Sequence, residues 1–374
     1  MIAMPHNDSQ NITESDPATL PNRFQPLTFS GTAGDYFKIH FVNLFLSIIT
    51  IGLYVPWARV RHRRFFYSNT RILGDGIDYL ARGIDLLKGW LIAMAVLISY
   101  NILPMIDNEY AVFQLGYTGA LILLAPWAIN KSLQFNARNL VWRDVRFKWD
   151  GTYFGVAIYL FLGPLIGLLS FGLLLPIFSR LMRHYIAKHY SFGTTRFTIE
   201  TSLADFYKAA LAAVGVFIGV VMVIAIPVAL YLFFTGNGEQ GLTSVFAHSQ
   251  GTIITLIFGG QLLFIGLIMA VTTYYRAVTR NLMVTRLALG DDIRFRSDIS
   301  AVRLVVITLQ NAVLSILSLS LLWPWAQVRK YRYMVDNTWV RPNGDLDHFI
   351  DQQQANSSAL GDALSEAGGI EISI

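Results

Sequence analysis

Residues 50–61 read Thr50-Ile51-Gly52-Leu53-Tyr54-Val55-Pro56-Trp57-Ala58-Arg59-Val60-Arg61. Near the other end of the chain, residues 321–329 read Leu321-Leu322-Trp323-Pro324-Trp325-Ala326-Gln327-Val328-Arg329. In both, an apolar run crosses a Pro-Trp-Ala junction and becomes basic. Tryptophan where apolar sequence meets Lys and Arg marks a membrane–water interface. Between them, 153–178 ends Leu175-Pro176-Ile177-Phe178-Ser179-Arg180, a variant of the same junction without the tryptophan. A basic, aromatic segment follows each junction: Arg64-Phe65-Phe66-Tyr67, Arg183-His184-Tyr185 and Arg332-Tyr333.

Bulk composition agrees with a membrane setting. Of 374 residues, 54% are hydrophobic and only 14% charged, with a mean hydropathy of +0.47. A soluble domain carries about 25% charged residues. The chain has no cysteine, so disulfide and thiol chemistry are excluded, and a metal site would need His and carboxylates alone. The first 26 residues lack the basic and apolar regions of a signal peptide.

Four stretches are long enough to span a bilayer, which takes about 20 apolar residues: 86–106, 112–129, 208–235 and 253–275. Three more apolar stretches are 36–57, 153–178 and 303–325. Of the 29 Lys and Arg residues, 25 fall in five segments: 57–85, 128–152, 179–207, 274–303 and 324–342. The loops 107–111 and 236–252 hold none. Seven plain spans would put some basic segments outside, against the positive-inside rule. One arrangement keeps every basic segment in the cytoplasm. The first four stretches cross, and the other three are broken or re-entrant hydrophobic hairpins that enter and leave on one face. Irregular backbone at that depth must be covered by protein or water. The expected turns lie at Thr50-Ile51-Gly52, at Gly163-Pro164 and in the Ser-rich middle of 303–325.

Short strand-like pieces recur after the basic segments, at 77–81, 145–149, 196–200 and 293–296. Leu-Gly-Asp occurs at 73–75 and 289–291, where Gly supplies a positive φ and Asp bonds the backbone. The sequence therefore predicts an all-α polytopic membrane protein with internal repeats, four full transmembrane helices, three hairpins and short cytoplasmic strand pieces. Its divisions are a disordered arm (1–26), repeat unit 1 (27–146), repeat unit 2 (147–294), a partial unit 3 (295–342) and a disordered acidic tail (343–374).

The run Phe29-Ser30-Gly31-Thr32-Ala33-Gly34-Asp35-Tyr36-Phe37, the segment 50–57 and the Arg-Tyr segments resemble the YjgN-like bacterial inner-membrane proteins. The resemblance spans roughly 24–342. That family is a domain of unknown function, so the likeness implies location and architecture and brings no reaction or catalytic residues.

Polar groups inside apolar segments are the best pointers to function in a membrane protein. His40, Asn43, Asn311 and Gln261 are the candidates for a polar path. Asn43 and Asn311 occupy similar places in the first and third hairpins, where their amides either cap a broken helix or line such a path. Arg59, Arg61, Arg64, Arg180, Arg329 and Lys330 cluster at the interface and are candidates for anionic lipid headgroups, each charge contributing on the order of 1 kcal/mol. Their dispersal over membrane-facing loops argues against nucleic acid. Gly163…Gly167 and Gly215…Gly219 let helices approach closely, within the chain or in a homo-oligomer. No nucleophile elbow, zinc-protease or P-loop motif is present, so neither an enzyme nor a cofactor is expected. Two functional classes fit: a transporter or channel-like protein with a path between repeat units, and a non-catalytic module that binds anionic lipid or a protein partner. Both place the chain in the bacterial inner membrane, with both termini cytoplasmic.

Overall fold

The computed structural model describes residues 23–102, 110–234 and 250–356. After strands β1 (Gln25–Pro26) and β2 (Thr28–Phe29), one order of elements recurs: two helices, a short strand, a longer strand. Helices α1 (Ala33–Ile49) and α2 (Val55–Ser68) lead to β3 (Thr70–Ile72) and β4 (Asp75–Tyr79). Next, α3 (Gly83–Ile102) and α4 (Tyr110–Arg138) lead to β5 (Leu140–Trp142) and β6 (Val145–Trp149). The third pair, α5 (Tyr153–Leu169) and α6 (Leu175–His189), leads to β7 (Tyr190–Phe192) and β8 (Thr195–Ile199). The fourth, α7 (Leu203–Phe234) and α8 (Gln250–Arg286), leads to β9 (Leu287–Leu289) and β10 (Ile293–Ser297). The fifth, α9 (Ala301–Leu317) and α10 (Trp323–Asp336), leads to β11 (Thr338–Pro342). A helix over 346–356, α11, follows.

All eleven strands form one antiparallel sheet in the order β1-β11-β10-β9-β8-β7-β6-β5-β4-β3-β2. Only Leu27 separates β1 from β2, so both ends of the sheet belong to one short segment. The Leu27 N–H donates to the Thr338 carbonyl at 2.9 Å, and the Ser30 N–H donates to the Asn69 carbonyl at 3.0 Å. The sheet is thus a nearly closed barrel, and closure removes the exposed strand edges that invite aggregation. The turns lie at the rim away from the helices. Leu73 (φ 53°) and Gly74 (φ 93°) form the two-residue turn between β3 and β4, the mirror-image geometry that fits strand twist. Leucine pays for that backbone strain by burying its side chain in the core.

The middle residue of each longer strand points inward: Ile77, Phe147, Phe197, Phe295 and Val340 pack in one cluster. Helix α11 caps the turn rim of that cluster with Leu346, Phe349 and Ile350. Gln353 accepts from the Thr194 N–H at 2.9 Å, and Arg143 pairs with Asp75 and Asp347. Part of the stretch 343–374, expected as a polar tail, is therefore an ordered cap. Of the arm 1–26, Gln25–Pro26 is strand and 1–22 lie outside the described residues.

This architecture overturns the expected all-α fold with four full transmembrane helices. Among the described residues, three helices are long and apolar enough to cross a membrane: Gly83–Ile102, Leu203–Pro227 and Phe258–Arg286. The stretch 112–129 lies in α4, which carries Pro126 inside it and turns polar at Asn130, Lys131 and Ser132. The expected strand pieces are the visible parts of one sheet. The loop 107–111 lies partly, and 236–252 largely, outside the described residues.

The three shorter hairpins share one tip. At Thr50, Ser170 and Ser318, the hydroxyl donates back to a carbonyl of the first helix (2.7, 2.7 and 3.3 Å). The same hydroxyl accepts from the N–H four residues on (3.0, 2.9 and 3.0 Å). The next two residues have positive φ: Ile51-Gly52, Phe171-Gly172 and Leu319-Ser320. The proline of each return helix (Pro56, Pro176, Pro324) is fully buried. In α5 the turn expected at Gly163-Pro164 is displaced to the tip at Ser170. The proline, which lacks an N–H, is accommodated by a π-helical stretch over Val156–Leu162. Gly163 and Gly167 sit against Phe178 and Leu175 of α6, where a side chain would not fit. Nothing in the described structure packs on Gly215 or Gly219.

Candidate functional site

Seven residues before the first strand that follows each return helix stand Arg63, Leu133, Arg183, Arg280 and Tyr331. The helical repeat places these equivalent positions two turns below the sheet. Each reaches toward the next helical pair. Arg63 donates to Asn136 of α4 and to the Tyr79 hydroxyl at 2.9 Å. Leu133 packs in a cluster with Tyr185 of α6. Arg183 donates to Thr279 Oγ1 of α8 at 2.8 Å. Arg280 donates to Ser297 Oγ at 2.6 Å and to Thr338 Oγ1 of β11 at 2.9 Å. Tyr331 shares a 2.9 Å hydrogen bond with Thr70, which returns to the first unit. The five positions form a belt of clasps around the ring.

Three phenols, Tyr67, Tyr190 and Tyr331, are linked electrostatically at this level, each packed in its own cluster. Tyr190, after the third helical pair, lies close enough to Tyr67 and Arg63 of the first pair to feel both, although the second pair stands between them in the chain. Tyr331 likewise lies near Tyr67 and Arg280. Burial raises all three phenols above their ordinary range, with Arg63 pulling Tyr67 and Tyr190 back, and Thr70 and then Arg280 pulling Tyr331 back. They are therefore neutral O–H groups at physiological pH. Among the described residues, the salt bridges lie elsewhere, at Arg82–Asp85, Arg143 with Asp75 and Asp347, Arg196–Asp150 and Arg294–Asp291. The belt arginines are held by neutral oxygens and, for Arg183, also by the Met283 sulfur, and a guanidinium does not lose its proton in a protein. The interior at this level carries uncompensated positive charge beside hydroxyl donors, a chemistry that suits an anion.

The residues singled out from sequence are placed as follows. Asn311 is buried in α9 and donates to the Ala326 carbonyl of α10 at 2.9 Å, tying the two helices of its hairpin together. Asn43 is buried at the corresponding place in α1, and its Oδ1 has no hydrogen-bond partner. His40 lies on α1 beside Tyr36 and Phe41. Gln261 is exposed on α8. Among the described residues, no contact joins these four. Arg59 and Arg61 are exposed and sit over the rings of Trp90 and Tyr54. Arg64 and Arg180 are bound to backbone carbonyls of Tyr79, Ala81 and Thr201. Arg329 donates to Asn311 and Gln310, and Lys330 is half-buried near Arg276. The belt residues Arg63 and Arg280 and the three tyrosines were hidden among the basic segments. Their signal is the constant spacing to the next strand.

The chain was compared with known proteins on this footing. The family model described as "Bacterial protein of unknown function (DUF898)" matches residues 24–367. The "Inner membrane protein YjgN" of Salmonella typhimurium is 28% identical over 369 residues, covering 87% of this chain and 90% of that protein. The protein of the same name from Escherichia coli O157:H7 is 25% identical over 363 residues, covering 85% and 88%. That of Escherichia coli K12 is 24% identical over 363 residues, with the same coverage. No solved structure matches. The match over nearly the whole described chain makes this protein a member of the DUF898 family of bacterial proteins.

Proposed function

We propose that this chain is an inner-membrane transport protein whose ring of helical hairpins surrounds a path for anions. Tyr67, Tyr190 and Tyr331 form its narrow point, and Arg63 and Arg280 supply its charge. The sheet, α11 and both termini face the cytoplasm, and the hairpin tips lie in the bilayer. The recurring order of elements reflects an internal repeat of five units, more than the three visible in sequence. The observation that carries the reading is that Arg63 and Arg280 are held by neutral groups with no carboxylate partner among the described residues, within electrostatic reach of Tyr67, Tyr190 and Tyr331. Arginine rings select anions in pores by the same electrostatics. The reading involves no catalytic step and no cofactor.

Purified protein in sealed vesicles tests it. Chloride or phosphate efflux down a gradient should exceed that of empty vesicles, and the double variant R63Q/R280Q should lower the anion-to-cation permeability ratio about tenfold, the equivalent of about 1.4 kcal/mol. Equal leak from protein-containing and empty vesicles for chloride, phosphate and small carboxylates would reject the reading. A second reading, a non-catalytic module on anionic lipid, is favoured by the exposure of Arg59 and Arg61 beside the aromatic rings of Tyr54 and Trp90. It expects vesicle binding to the R59Q/R61Q variant to weaken without any change in flux.

A further inference from the structure

A cleft of about 510 Å³ opens between the α5–α6 tip and helices α7 and α8. That size is within the range of about 300–1,000 Å³ typical of ligand pockets. The cleft exists because α7 offers small side chains to it, Ala210 and Ala213, while the tip folds over it. The Tyr207 hydroxyl donates to the Leu173 carbonyl at 3.1 Å and pins that tip in place. The walls are apolar for most of their length, from Phe171 at the tip to Met182.

The polarity changes at one end only. There the cleft meets Ser179, Arg183, Tyr275 and Arg276. Arg183 and Arg276 are close enough to repel each other, and among the described residues neither pairs with a carboxylate. The Arg183 terminal nitrogens bond Thr279 and Met283, while its Nε is buried with no partner. A buried donor left unpaired costs about 1–3 kcal/mol, more when charged. From Leu175 to Arg183 the α6 axis rises about 12 Å, so the cationic end lies toward the sheet and the apolar end toward the hairpin tip. That is the order of headgroup and acyl chain in the leaflet next to the sheet.

We infer that this cleft binds an anionic phospholipid of the surrounding bilayer, one acyl chain lying between α6, α7 and α8 and the phosphate resting on Arg276 and Arg183. The inference depends on the hairpin tips lying in hydrocarbon and is independent of the transport reading. Charge complementarity chooses the occupant, because a zwitterionic lipid would bring its own cation to a site that already holds two.

The test uses delipidated full-length protein in detergent, with phosphatidylglycerol or phosphatidylcholine added back and bound lipid counted by native mass spectrometry. Phosphatidylglycerol should bind the wild type at least about tenfold more tightly than phosphatidylcholine. R276Q, at an exposed position outside the belt, should weaken phosphatidylglycerol about tenfold or more, as expected for losing one charge-assisted hydrogen bond. A210F fills the apolar part while leaving both arginines in place, and should remove the adduct. Equal affinity for the two lipids overturns the inference, as does binding within about twofold of wild type by folded R276Q or A210F. Should A210F fail to fold, R276Q decides, because its side chain supports no other contact in the described structure. Flux measured on R276Q separates this site from the axial path. Lost lipid with intact flux supports the cleft alone, and retained lipid refutes it whatever the flux.

Discussion

Replacing Phe171 by aspartate separates a tip in lipid from a tip in water, because the two surroundings predict opposite signs. Phe171 is 99% exposed and has φ 52°. In water, an exposed substitution costs within about 0.5 kcal/mol, and aspartate tolerates this left-handed backbone better than phenylalanine. A tip in water should therefore be unchanged or slightly stabilised. In lipid, two costs add. Removing the ring from an apolar medium forfeits about 1.5–3 kcal/mol, and an aspartate at membrane depth costs about 2.5–3.5 kcal/mol on insertion scales. The sum is a destabilisation of about 4–6.5 kcal/mol. Reversible unfolding of the protein in lipid nanodiscs measures it. F171A, which keeps the strained backbone and adds no charge, should lose only about 1.5–3 kcal/mol. An F171D variant within about 1 kcal/mol of wild type would refute the placement of this tip in hydrocarbon.

Three further outcomes follow from the packing. Phe349, 5% exposed at the centre of the α11 cap, should cost about 3–5 kcal/mol when replaced by alanine, read as a lower thermal midpoint. Ser170→Ala removes both the bond to Gly167 and the acceptor for the Leu174 N–H, and should cost about 1–3 kcal/mol in the same unfolding assay, more than a surface serine would. His184, bonded to Thr201 Oγ1 at 2.6 Å, has its pKa lowered by burial first and by Arg180 second. The folded state therefore prefers the neutral ring, so its contribution to stability is present above the unfolded pKa of about 6.5 and is lost as pH falls toward the folded value. H184Q should flatten the stability profile across that window, and an unchanged slope between mildly acidic and neutral pH would show that the ring titrates as it does in water.

Local chemistry was legible where it repeats in a form that sequence can carry. The Thr50-Ile51-Gly52 turn, the Pro-Trp junctions and the Leu-Gly-Asp turns are short-range features, and each stands where its residues place it. The barrel was not legible, because its strands are two to five residues long and offer at most two inward side chains of alternation. Its closure also joins Gln25 to Val340, a pairing that no local window contains. The fourth unit escaped notice for a different reason. Its helices α7 and α8 lack the hydroxyl-and-proline tip that made the first, third and fifth hairpins resemble one another. Asn311 donates to a carbonyl of its own hairpin, a choice between capping and lining a path that spacing alone does not settle. Arg63 and Arg280 looked like any other interfacial arginine until the sheet fixed where each return helix ends.

The tips and the belt impose complementary demands on the same helices. At the tip, five backbone hydrogen bonds recur in each of three hairpins, from Thr50 N–H to Leu46 through Trp323 N–H to Ser320, which is what the proposed placement in hydrocarbon would require of a turn. The middle tip has one further bond from outside its hairpin, from the Tyr207 hydroxyl to the Leu173 carbonyl. At the sheet end the position is reversed: Arg63, Arg183, Arg280 and Tyr331 satisfy themselves on the adjoining unit. The backbone of each tip is therefore satisfied within its own hairpin, while the belt side chains depend on the adjoining elements. Disturbing one clasp strains the seam on either side of it, while disturbing one tip stays local.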